Sequence, residues 1–80
     1  MANGGTEAII AENVRIHRAR LHLSQAQLAA KAGISQSYVG KIETGSGNLT
    51  LSVLDDLAAA LGVTVQQLLV PMQVEHSRVA

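Results

Sequence analysis

Apolar positions along this chain recur at helical rather than strand spacing. Ile10, Val14, His17 and Leu21 fall at i, i+4, i+7 and i+11, one face of a helix that starts near Thr6, with Glu7 favourable at the positive end of its dipole. A second run follows Ser24, whose hydroxyl is placed to cap an orphan backbone N–H while Gln27 reaches back, and Leu28, Ala29 and Ala32 form its inward stripe. Gly33 supplies the left-handed conformation that ends this helix. Ile34 is an apolar plug after the turn, Ser35 a second N-cap, and Val39 and Ile42 the inward positions of a third helix. Thr44 to Asn48, with two glycines, a serine and an asparagine, reads as a loop. Leu51, Leu54, Leu57, Ala58 and Leu61 then predict a fourth helix, capped by Thr50 or Ser52 and stopped at Gly62. Thr64 with Gln67 repeats the capping box and opens a short fifth helix, with Val63, Leu68 and Leu69 as its apolar positions, that Pro71 ends. The expected fold is all-α and compact, with five helices in residues 9–70, a flexible N-terminus over 1–8 and a C-terminal tail over 71–80.

Composition narrows this picture. At 80 residues the chain has room for one small domain, and 48% apolar against 15% charged residues suits an ordered helical core. Tyr38 is the only aromatic residue, and the absence of cysteine removes any disulfide framework or thiolate metal site. The opening residues lack a basic region ahead of a long apolar run, so a cytoplasmic protein without a membrane segment is expected. The formal charge is zero, yet it is unevenly placed. Between Asn13 and Asn48 stand Arg15, Arg18, Arg20, Lys31 and Lys41 against Glu43 alone, whereas Glu7, Glu12, Asp55, Asp56 and Glu75 lie outside with only Arg78. A basic middle between acidic ends fits a molecule with one side turned to nucleic acid.

The second and third predicted helices meet at Gly33 as a helix-turn-helix, which buries one face of each and leaves the third helix's other face free for a DNA major groove. That free face reads Gln36, Ser37, Gly40, Lys41 and Thr44, whose amides, hydroxyls and ammonium can bond base edges and phosphates. On composition alone the same residues equally describe a solvated helix face. His17 reads as a neutral core or boundary residue, because no second histidine or carboxylate has metal-ligand spacing to it. Asp55 and Asp56 are adjacent on a helix and point in different directions. No Gly-rich phosphate loop, ligand pair or partnered nucleophile appears, so no catalytic residue, metal or cofactor is expected.

From Ala11 to Leu69 the sequence, through VRIHRARLHLSQAQLAAKAGISQSYVGKIETGSGNLTLSVLDDLAAALGV, closely resembles the phage repressor/Cro type of helix-turn-helix domain, also called the Xre family. The resemblance implies a repressor-like domain and assigns roles position by position. Gln25 matches a glutamine that donates to a phosphate and braces the reading side chain, and Gln36 matches a base-contacting position. Ser37 and Lys41 match other base-facing positions; Ser24 lies at the same helix start as Gln25. Ser35, Tyr38, Thr44 and Asn48 match phosphate-holding positions. Arg18 and Glu43 match a pair that ties the first helix to the end of the third, with an independent phosphate contact as the alternative for Arg18. His22 stands where the family usually has glycine. The implied partner is double-stranded DNA, bound by a homodimer through the fifth helix and tail, where Val65, Leu69, Val70 and Met72 offer surplus apolar surface. The implied function is a sequence-specific transcription regulator on a palindromic operator; an antitoxin or other module that grips a protein partner is the alternative. SGNLTL after the third helix is similar to restriction-modification controller proteins.

Overall fold

In the computed structural model, which describes residues 5–72, the chain forms α1 (Thr6–Arg20), α2 (Gln25–Ala32), α3 (Gln36–Glu43), α4 (Leu51–Leu61) and α5 (Val65–Leu69). The described residues contain no strand. The starts of α2 to α5 and the ends of α2 and α4 have local causes. Ser24 and Thr64 each make a complete capping box with Gln27 and Gln67. Ser35 accepts from the Tyr38 N–H at 3.0 Å and Thr50 from the Val53 N–H at 3.1 Å, which decides the cap of α4 in favour of Thr50. Gly33 and Gly62 end α2 and α4 in the left-handed region, at φ of 75° and 73°.

Ile10, Val14, Leu28, Val39, Ile42, Leu54, Leu57, Leu61 and Leu68 form one buried cluster, closed at close-approach points by Ala29, Ala32, Ala58 and Ala60. α1 packs on α3, α4 and α5, and α2 packs on α3 and α4, so the outer side of α3 is left uncovered. Two predicted stripe positions depart from expectation. Leu21 is 46% exposed because α1 stops at Arg20 and the chain turns through His22 at φ +58°, which swings Leu21 off the stripe. Leu51 is 77% exposed, since it is the first residue of α4 and its stripe runs past the packed core there. Residues 6–8, expected ahead of the domain, belong to α1. Of the expected tail, residues 73–80 lie outside the described residues.

Asn13 is a core residue that apolar periodicity passes over. It is 1% exposed, and its amide donates to the carbonyls of Leu68 and Val70 at 2.8 Å each and of Gln67 at 3.3 Å. Two N–H bonds thereby serve three carbonyls at the end of α5, a helix of five residues that has too few internal bonds to persist alone. Asn13→Ala is expected to cost roughly 1–3 kcal/mol in urea unfolding, because it orphans the buried Leu68 carbonyl and two part-buried ones. The isosteric Asn13→Asp, which only accepts, is expected to cost more; the reverse order would mean that packing volume matters here rather than donation.

His22 is the only non-glycine residue with positive φ among the described residues. His22→Gly is expected to raise stability by up to about 1 kcal/mol. A lowered melting temperature for that variant counts against strain at this turn.

Candidate nucleic-acid interface

Glu43 ends α3 as a buried carboxylate, 4% exposed. An isolated charge there carries a large desolvation penalty, so its partners decide whether the helix can end this way. Arg18 on α1 supplies a two-pronged clamp, with Nε on Oε2 at 2.6 Å and Nη2 on Oε1 at 3.0 Å. Gln25, the first residue of α2, adds Nε2 on Oε1 at 3.0 Å. A second arginine, Arg15, donates Nη1 to the Glu43 backbone carbonyl at 2.8 Å and so caps the negative end of α3. Arg18 also donates Nη1 to the Leu23 carbonyl at 2.9 Å, which pins the α1–α2 turn. Burial pushes the Glu43 carboxyl up. The bonds from Arg18 and Gln25, with the charges of Arg18 and Arg15, outweigh it and hold the carboxyl below its ordinary value. The same bond to Glu43 raises Arg18.

The brace leaves Gln36, Ser37 and Lys41 exposed on the uncovered side of α3, with Gly40 half-buried beside them. Ser24 and Ser35, both exposed, accept backbone N–H groups as caps, which leaves each hydroxyl hydrogen free to donate outward at a helix N-terminus. Tyr38 and Thr44 are arranged differently. The Tyr38 hydroxyl donates to the Asn48 carbonyl, and the Thr44 hydroxyl to the Lys41 carbonyl at 3.0 Å. Their donor hydrogens therefore close the loop after α3, which folds back so tightly that a Cβ at Gly47 would lie 3.3 Å from both the Ile42 nitrogen and the Tyr38 ring. The Asn48 side chain remains exposed.

Arg15 and Asn13 are the functional and structural residues that sequence reasoning missed. Arg15 carried a signal, for it lies three residues before Arg18 and faces the only acid of the basic middle. Half-buried His17 is lowered by burial and by the charge of Arg20. No cluster of three or more metal-ligating side chains occurs among the described residues, and none of their helices is long and apolar enough to cross a membrane.

Two capped helices hinged on a left-handed glycine, with the second locked at its C-terminus and open on one polar side, define a helix-turn-helix DNA-binding domain. The helix-turn-helix family model matches residues 14–68, and the chain belongs to that family, in its phage repressor or Xre branch. Control protein C.SmaI of Serratia marcescens is 48% identical over 61 residues, spanning 76% of this chain and 73% of that protein. A hypothetical transcription factor of Neisseria meningitidis is 41% identical over 66 residues, which span 82% of this chain and 62% of the Neisseria protein. Among solved structures, the restriction-modification controller protein C.AhdI from Aeromonas hydrophila superimposes with a TM-score of 0.75 at 34% identity, covering 78% of this chain and 94% of that one.

The brace makes a signed prediction. Glu43 has a lowered folded-state value, so its contribution is complete above the ordinary glutamate range and is lost as pH falls through the folded-state value. Arg18→Met strands the buried carboxylate and is expected to cost roughly 3 kcal/mol at neutral pH. The gap between wild type and Arg18→Met should narrow on acidification, as Glu43 becomes neutral. Urea titrations from neutral pH to about pH 3 measure it; a gap that stays constant removes Glu43 as the group responsible.

Proposed function

We propose that the chain is a sequence-specific transcription regulator, a repressor or autoregulator, that binds a palindromic operator as a homodimer with α3 in the major groove. The observation that carries this reading is the exposed Gln36, Ser37 and Lys41 face on a helix whose direction is held from behind by a buried carboxylate. Gln36 is suited to a bidentate pair with adenine, and Lys41 to a guanine edge or a phosphate. Ser24, Gln25, Ser35 and Asn48 would hold phosphates on either side. The relatives described as a control protein, a restriction-modification controller and a transcription factor support the regulatory role.

A single module of this size reaches few base pairs, so two copies on half-sites about 34 Å apart give useful affinity. Leu69 and Val70, 38% and 50% exposed beside the fully buried Leu68, are the described residues that support an interface at α5.

A footprint on the DNA upstream of its own gene tests the reading, with a protected palindrome expected and uniform protection at all sequences counting against it. On that site, Gln36→Ala should lose roughly 1–3 kcal/mol of discrimination at one base position. Equal weakening on every sequence would remove Gln36 from base reading.

A further inference from the structure

The last turn of α1 carries His17, Arg18 and Arg20. Arg18 is spent on Glu43, the one ion pair among the described residues. His17 and Arg20 instead line a cleft of about 240 Å³ that α1 forms with the end of α5 and the chain just after it. Gln67, Val70, Pro71 and Met72 complete its walls. Gln67 uses its amide oxygen to accept the Thr64 N–H at 2.8 Å, so its amide N–H groups remain to donate. The cleft thus brings together a guanidinium, an imidazole and an amide donor beside an apolar wall, with no acid among its lining residues. Neither α5 nor the segment after it can supply one, because no charged residue stands between Asp56 and Glu75.

Such a surface is complementary to a carboxylate. The negative end of the α1 dipole works against an anion there, so the side-chain cations must draw it. Glu75 is the first acid beyond the wall, three residues after Met72, a span of at most about 11 Å. A group tethered this closely reaches an effective concentration in the millimolar range, above that of a dilute partner. We propose that Glu75 seats its carboxylate in the His17–Arg20 cleft of its own chain, which ties the segment after α5 to the end of α1. The end of α5 is then held from two sides, by Asn13 through its carbonyls and by Arg20 through the chain beyond them. None of the DNA-facing residues takes part, so failure of the regulator reading leaves this contact standing.

The test follows the His17 imidazole by NMR titration in the full chain. His22, at the α1–α2 turn, is the internal control, and His76 is set aside because it adjoins Glu75. Burial and Arg20 hold His17 below its ordinary value, and a nearby carboxylate pulls the other way. Glu75→Gln is therefore expected to lower the His17 midpoint by about half a pH unit, the effect of one charge ~6 Å away in a solvent-like dielectric, and to leave His22 unmoved. Arg20 is exposed, so Arg20→Gln removes the guanidinium without disturbing the core. In that background Glu75→Gln should move His17 by less than about half as much. A mixed sample, isotope-labelled Glu75→Gln co-refolded with excess unlabelled wild type, shows whose carboxylate acts. Its labelled His17 is expected to stay at the variant midpoint. An unmoved His17 in Glu75→Gln, a shift at least half as large without Arg20, or recovery of the wild-type midpoint in the mixed sample overturns the proposal.

Discussion

One buried carboxylate governs the arrangement of this molecule. Glu43 is stable in its charged form only when α1, α2 and α3 are all in place, because its partners come one from each neighbouring helix: the guanidinium of Arg18 and the amide of Gln25. A hydrophobic contact tolerates sliding by a fraction of an ångström, but a forked arginine on a carboxylate does not. Replacing such a cluster by well-packed apolar groups is often neutral in energy, so its value lies in the uniqueness of the geometry it enforces. The core of this domain is rich in alanine and leucine and carries a single aromatic residue at its edge, a composition that defines helix angles loosely. The ionic cluster supplies the definition that the core lacks.

The same cluster changes how the charge of the chain should be counted. A net charge of zero hides a basic middle, and the one acid in that middle is withdrawn from the surface and neutralised by Arg18. Exposed Arg15, Arg20, Lys31 and Lys41 therefore have no acidic side chain from the same stretch beside them at the surface. Cations gathered in one stretch, with the acid among them already paired, serve an anionic partner better than the total suggests.

Legibility in the sequence tracks the range of each interaction. Caps and stops at Ser24, Gly33, Ser35, Thr50, Gly62 and Thr64 are written within four residues of the feature they control, and the structure bears them out. Arg18 with Glu43 crosses 25 residues and was legible only through family resemblance. Asn13 reaches carbonyls more than 50 residues away, and a backbone carbonyl leaves no mark in the sequence to identify it as the partner. The sequence points Gln25 toward DNA, and its bond to Glu43 leaves no sequence signal because it depends on where α2 crosses α3. Leu21 and Leu51 mislead for the opposite reason, as periodicity records which face a residue occupies and not whether a neighbour extends far enough to cover it.

α1 joins these observations. Asn13 grips the end of α5, and Arg15 and Arg18 grip the end of α3, all within a stretch of about 7.5 Å along one helix axis. In the proposed dimer the surface that sets the two-fold axis and the surface that enters the groove would hang from the same rigid rod, with no hinge between them. Such a molecule measures its target like a pair of fixed calipers: inserting one base pair between half-sites, which displaces and rotates one of them, could not be absorbed by the protein and would have to be taken up as twist in the DNA.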